Sequence, residues 1–444
     1  MKTVKLNSYS KSILILAIPA IIESLLQSMV GFVDTLFISK LGLQEVASVG
    51  ISNAILQIYF AVFLALGTAS TVFVSRYYGA NQKDKVKTVA SQSIILTIIV
   101  GIVFGAISFF FSEQLLKVMG AEKEVLEIGS SYFRIVATPS ILISMMYTIG
   151  AILRGSGDTK TPMRIGIWMN IIHIVLDYVL IFGVFFEGFG IQGAAFASVI
   201  ARLFAVILLF RHLFIKGFIS ITMNDWKMKI EVIKDLVKLG LPASMERLFM
   251  RFGQIIYFGM IIRMGTEVYA AHTFAGNFTI FASVIGTGFA VATTTLVGKS
   301  LGAGEIEKAK RYSVSSIFLT SIAMTLVLFI TYLLSSQISP IFTTNRVVIG
   351  LITTVLAIDT ITQPATAIVS TLTATFQAGG DTKYPMYMTA IGIWAIRTVG
   401  VYLLGVYFGF GLVGVWISIA LDNYIRAVFL IFRYRSFKWI KNLN

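Results

Sequence analysis

The sequence predicts an all-α membrane protein of twelve spans, built as two repeated halves of six. Three observations predict it: too few charges for a water-exposed surface, twelve separate apolar runs of spanning length, and a repeat at an offset of 223 residues. Of the 444 residues, 57% are hydrophobic and 13% charged, and the mean hydropathy is +0.85. A soluble domain carries about 25% charged residues, so most of this surface faces something other than water.

A span needs about 20 predominantly apolar residues. Such runs occur at 13–38, 46–74, 89–112, 127–153, 161–185, 189–212, 233–262, 268–297, 312–336, 350–377, 384–407 and 411–432. The first continues through Glu23 and Asp34, unlike the short apolar core of a cleavable signal peptide. Of the 36 Lys and Arg residues, 25 fall on the N-terminus, the even-to-odd loops and the C-terminus. The opposite loops hold five, Lys40, Lys117, Lys123, Arg263 and Arg346, and the spans hold six. By the positive-inside rule both termini face the cytoplasm of a plasma or inner membrane. The net charge of +15 is then topological and calls for no nucleic acid.

The repeat pairs Pro19 and Glu23 with Pro242 and Glu246, and Lys40 and Gly42 with Arg263 and Gly265. It also pairs Gly157-Asp158-Thr159-Lys160 and Pro162 with Gly380-Asp381-Thr382-Lys383 and Pro385. Gly190 and Gly193 match Gly411 and Gly414 after a two-residue slip. Six spans per half give both halves one orientation, about an axis near the membrane normal. Paired repeats of this kind are the architecture of secondary transporters. The expected organisation is an N-lobe at 1–212, a cytoplasmic linker at 213–232 and a C-lobe at 233–444. Trp226, Lys227 and Lys229 suit that linker to the lipid surface.

The chain has no cysteine, and His173, His212 and His272 are too scattered for a local zinc motif. No nucleophile–base pair is apparent in any span, which argues against an enzyme. The functional signal lies in ionisable groups inside the spans, which are expensive in hydrocarbon. The acids are Glu23, Asp34, Asp177, Glu246, Asp359 and Asp422; the bases are Arg134, Arg202, Arg247, Arg251, Arg397 and Arg426. Glu23 and Glu246 occur in both halves and so serve the common fold. Asp34 faces Tyr257 in the second copy and Asp177 faces Gly400, so this acid pair belongs to one half alone.

Helical spacing puts Glu23, Gln27 and Asp34 within about 40° on the first helix, and Asn170, His173 and Asp177 within about 60° on the fifth. Asp34, Asp177, Asn170 and His173 are therefore candidate coupling residues. Asp34, Asn170, Asp177 and Ser198 form the oxygen set that a Na⁺ would need; no other metal is expected. Gln27, Met29, Asn53, Gln57 and Met169 are candidate cavity residues, methionine suiting an adaptable pocket. Glu246, Arg247, Arg251 and Arg397 are expected to form a static charge network. Asp359 has no assigned role.

Several motifs spell out a family. Pro19, Glu23 and Gly31-Phe32-Val33-Asp34-Thr35 resemble the first helix of the multidrug and toxic compound extrusion (MATE) family. So do Arg154-Gly155-Ser156-Gly157-Asp158-Thr159-Lys160-Thr161-Pro162, its copy Gly379-Gly380-Asp381-Thr382-Lys383-Tyr384-Pro385, Leu176-Asp177-Tyr178, and Gly190-Ile191-Gln192-Gly193-Ala194-Ala195. The acidic pair resembles the DinF-like prokaryotic branch. The resemblance implies two six-helix lobes in a V. It also implies cofactor-free, cation-coupled export of bulky, often cationic amphiphiles from a monomer, and a first helix that bends at Pro19. One departure stands out. The family usually carries an asparagine four residues before the helix-five aspartate, where this chain has His173. The coupling ion, H⁺ or Na⁺, stays open at this point. The alternative is a lipid-linked-oligosaccharide flippase, whose pyrophosphate substrate would want arginines such as Arg247, Arg251 and Arg397.

Overall fold

A computed structural model describes residues 8–184, 187–214, 223–341 and 343–441. Among these, regular structure is helical apart from one isolated bridge, Gly380 to Ile440. The first half holds α1 (Ser8–Ser39), α2 (Leu43–Gly79), α3 (Lys83–Val118), α4 (Lys123–Ala137), α5 (Ser140–Gly155), α6 (Lys160–Phe182) and α7 (Gly190–Phe214). The second holds α8 (Ile230–Arg263), α9 (Thr266–Gly302), α10 (Ile306–Leu333), the single turn α11 (Ser335–Ile338), α12 (Arg346–Ala378), α13 (Lys383–Ile391) and α14 (Gly411–Arg435). Beyond α13 the chain continues as two π-helical stretches, Gly392–Thr398 and Val401–Tyr407.

Among the described residues ten of these helical segments are long and apolar enough to cross a bilayer, so the chain is a multi-pass membrane protein. Two expected spans differ from a plain apolar helix. The run 127–153 is not one straight helix: α4 and α5 meet at 44°, with Pro139 at the junction. Proline lacks the N–H and crowds the preceding turn. α8 runs unbroken but carries Lys234, Asp235, Lys238, Glu246, Arg247 and Arg251, and so falls short of the apolar test. Of the expected linker 213–232, residues 215–222 lie outside the described residues. Trp226, in a short helical turn, stacks on Phe214 at 5.9 Å. The buried Gln92 of α3 holds the following strand of chain, donating to the carbonyls of Asp225 and Lys227 and accepting from Lys229 N at 2.8 Å.

The chain forms two compact units, Ile22–Ser244 (the N unit) and Met1–Ile21 with Met245–Asn444 (the C unit). The division falls inside α1 and α8, just past Pro19 and Pro242, and both helices run continuously through their prolines. In the N unit, Tyr59, Phe63, Phe133 and Ile143 share one core with Ile181 of α6. Gly101 and Gly105 let α3 meet the α4–α5 junction: a Cβ on either would strike the backbone of Ile141 or Thr138. In the C unit, Ile13 and Ala17 of α1 pack with Phe289, Phe376 and Trp439.

The two Gly-Asp-Thr-Lys loops show what the repeat preserves. Gly157 (φ +93°) and Gly380 (φ +83°) take the left-handed turn that a side chain would strain. Asp158 accepts from Thr161 N at 2.9 Å at the start of α6 and lies 3.3 Å from His212 at the end of α7. At the matching places Asp381 pairs with Arg433 at 2.6 Å, and also with Lys441 at 2.7 Å. The extra lysine comes from a strap after α14. Trp439 is fully buried there, stacked on Tyr434 (5.6 Å) and Phe376 (6.1 Å). Lys441 N donates to Gly379 O at 2.8 Å, and any Cβ on Gly379 would collide with Trp439. Truncating a buried tryptophan costs about 3–5 kcal/mol. Trp439→Ala should therefore lower the thermal unfolding midpoint of the detergent-solubilised protein; an unchanged midpoint would mean the strap is not part of the folded core.

Candidate functional site

The site is a cluster of polar side chains on α1, α6 and α7 of the N unit, buried except for the half-buried Asp34. α6 has a single polar stripe, and folding turns it inward: Asn170, His173 and Asp177 are 4%, 8% and 0% exposed. Their spacing of three and four residues puts them on one face. α1 brings Asp34, and α7 brings Ser198, which is 6% exposed. The imidazole of His173 stands between the two acids. Its Nδ1 is 3.9 Å from Asp34 Oδ1 and its Nε2 is 3.6 Å from Asp177 Oδ2. Ser198 Oγ lies 3.0 Å from Nε2. One ligand atom from each of Asp34, His173 and Asp177 lies within 4.8 Å of the others.

The cluster is under-satisfied. Apart from the contact of the Asp34 and Asp177 carboxyl groups with each other, Asp34 Oδ1, both oxygens of Asp177 and both side-chain polar atoms of Asn170 are buried with no hydrogen-bond partner. Buried polar groups are normally paired, and an ionised carboxylate out of water is costly unless compensated. The arrangement therefore fits a site that must take up a proton or a cation. Tyr132 of α4 and Arg202 of α7 complete its electrostatic surroundings, both in reach of Asp34. Arg202 was visible in sequence only as one of six span arginines, and Tyr132 gave no signal distinguishing it from other aromatics.

The other candidate residues fall elsewhere. Gln27, Met29, Asn53 and Gln57 lie at the surface of the N unit and Met169 is half-buried, apart from the cluster. Pro19 is buried within α1. Glu23 pairs with Arg154 at 3.1 Å. At the matching place Glu246 has Gln377 and Thr389 as hydrogen-bond partners, so in both units the repeated glutamate contacts the end of the helix that precedes the Gly-Asp-Thr-Lys loop.

The charge network of the C unit is centred on a different acid from the one expected. Asp422 binds Arg397 Nη2 at 2.7 Å and Arg426 Nε at 2.7 Å, and all three are buried. Arg251 donates to Gln254, and Arg247 is in electrostatic reach of Glu246. Gly392 makes room: a Cβ there would press on Asp422 and Arg426. Asp359 is buried beside Gln363, within electrostatic reach of Arg397. The two units thus differ: the N unit gathers two acids around an imidazole, whereas the C unit ties Asp422 to two arginines and leaves Asp359 Oδ2 buried without a partner.

Comparison with known proteins places these features. The MatE family model matches residues 19–179 and 242–403, one copy in each half. The chain is 29% identical over 433 residues to a probable multidrug resistance protein NorM of Thermotoga maritima, covering 97% of this chain and 93% of the relative. Crystal structures described as MATE in the straight and in the bent conformation superpose with a TM-score of 0.90 each, at 27% and 26% identity and 98% coverage of both chains. Repeat, fold and intramembrane acids agree with that match: the chain belongs to the MatE family and is a secondary transporter of the multidrug-resistance class, not an enzyme.

Proposed function

We propose that the chain is a DinF-like, H⁺-driven exporter of bulky amphiphilic, often cationic compounds, with Asp34, His173 and Asp177 as its coupling site. The observation that carries this is the grouping of two carboxylates, Asp34 and Asp177, around the buried imidazole of His173. Unpaired acids in a low-dielectric site accept a proton, Na⁺ or a cationic drug, and these occupants exclude one another. A histidine between two acids passes a proton between them, which favours H⁺ over Na⁺.

In this reading the chain makes twelve spans in two six-helix lobes, the bent α4–α5 pair and the charged α8 each counting as one. It works as a monomer with both termini cytoplasmic. Protonation of Asp34 releases α1 to bend at Pro19, where the helix lacks one hydrogen bond; a related protein described in a bent conformation supports this. The flippase alternative loses ground because Arg397 is committed to Asp422.

Transport by purified protein in liposomes, with pH and Na⁺ gradients imposed separately, tests the coupling. The pH gradient alone should drive drug accumulation; transport driven by Na⁺ alone would overturn H⁺ coupling. Orientation is tested by single cysteines, since the native chain has none. A cysteine at 84 should resist impermeant reagent in intact cells, and one at 120 should react. The reverse pattern would invert the topology.

A further inference from the structure

The cluster around His173 has the chemistry of a transition-metal site. An imidazole nitrogen is a poor partner for Na⁺, a hard cation held by oxygens, and a good one for zinc-class divalent ions. We propose that Asp34, His173 and Asp177 bind a divalent transition-metal ion of the Zn²⁺ class, with His173 as the ligand that selects it.

Geometry and tautomer fit together. Tetrahedral Zn²⁺ takes nitrogen and carboxylate oxygen at about 2.0–2.2 Å, so its ligand atoms stand roughly 3.3–3.5 Å apart. In the cluster Nδ1 lies 3.9 Å from Asp34 and the other ring nitrogen, Nε2, 3.6 Å from Asp177; with one ligand atom taken from each residue, all three lie within 4.8 Å of one another. Ser198 Oγ lies 3.0 Å from Nε2, and the tautomer that donates Nε2–H to it leaves the Nδ1 lone pair facing Asp34. That is the outer hydrogen bond by which metal-binding histidines are oriented. Two carboxylates neutralise a divalent ion, and Arg202 and Tyr132 are the charged or titratable groups beside them.

A second observation points to a ligand independently of the cluster's composition. Asp177 is 0% exposed with no partner beyond the other members of the cluster, and Asn170, three residues before His173 on the same face, has both polar atoms unpaired at 4% exposure. An ion at the centre satisfies the acids, and Asn170 supplies a further oxygen. No sequence motif announces the site, because its three ligands come from two helices 139 positions apart at the nearest.

Occupancy by such an ion ties up both carboxylates and arrests export. The inference shares its residues with the coupling proposal but does not depend on it, since equilibrium metal binding needs no gradient. The test is titration of Zn²⁺, and of Co²⁺ followed by visible absorption, into tag-free purified transporter in detergent. One ion per chain is expected, undisturbed by excess Na⁺. His173→Asn should weaken Zn²⁺ binding by about a hundredfold or more, on the scale of lost ligand-shell groups. His212→Asn should leave it unchanged, and size-exclusion profiles check that each variant is folded. Zn²⁺ affinity that survives His173→Asn, or displacement by Na⁺ at similar concentration, would overturn the proposal. If metal binds as expected while a pH gradient fails to drive export, the metal site stands and the coupling proposal falls.

Discussion

Asp34→Asn and Asp177→Asn are each expected to reduce drug export to the level of cells without the transporter, with the protein still folded and in the membrane. Asparagine keeps the shape of the side chain but holds no exchangeable charge. The acids it replaces have oxygens with no hydrogen-bond partner, so little native bonding is lost. What is lost is the ability to alternate between a proton and a cationic substrate. Glu23→Gln differs in kind. Glu23 is bound to Arg154 at 3.1 Å, so its loss removes an ion pair between α1 and the end of α5 and is expected to leave the coupling step intact. Resistance assays paired with membrane quantification separate the two outcomes. Full resistance in either aspartate variant would remove that residue from the coupling step.

The second large effect is on stability. Asp422→Asn should sharply destabilise the C unit, because it leaves Arg397 and Arg426 buried without their counter-charge. Removing one partner of a buried ion pair costs about 3–5 kcal/mol, whereas replacing the whole set by apolar residues of similar volume is often tolerated. The triple variant Arg397→Met, Asp422→Leu, Arg426→Met should therefore unfold at a higher temperature than Asp422→Asn alone. If the single variant is as stable as the native protein, the triad is not a structural device. If the triple variant is stable but no longer transports, the triad has a further role in the cycle.

Spans were legible because hydrocarbon demands long apolar runs, but breaks inside them were not. Pro19, Pro242 and Pro364 all lie within continuous helices, whereas Pro139 sits at a 44° break. The difference lies in the neighbours. Gly101 and Gly105 of α3 admit the backbone at the α4–α5 junction, a contact that a reading of one segment at a time does not contain. Likewise the polar stripe of α6 followed from its period. The placement of the imidazole between two acids depended on how α1 and α7 dock against it.

Arg397 shows where helical periodicity fails. It lies in the π-helical stretch Gly392–Thr398, where Thr398 Oγ1 donates to the carbonyl of Ile393 five residues back. A wider turn changes the phase, so the direction in which Arg397 projects does not follow from a regular α-helical period, and its partner is Asp422 rather than Glu246. The pairing of Asp422 with Arg426 follows from their i, i+4 spacing.

The central claim is that drug and proton compete for the Asp34–His173–Asp177 cluster. Its most direct test is proton release: purified transporter in weak, Na⁺-free buffer, with pH followed as a cationic drug is added. The native protein should release protons in proportion to drug bound, and the Asp34→Asn, Asp177→Asn double variant should release none. Drug binding with no proton release from the native protein, or equal release from the double variant, would contradict the account.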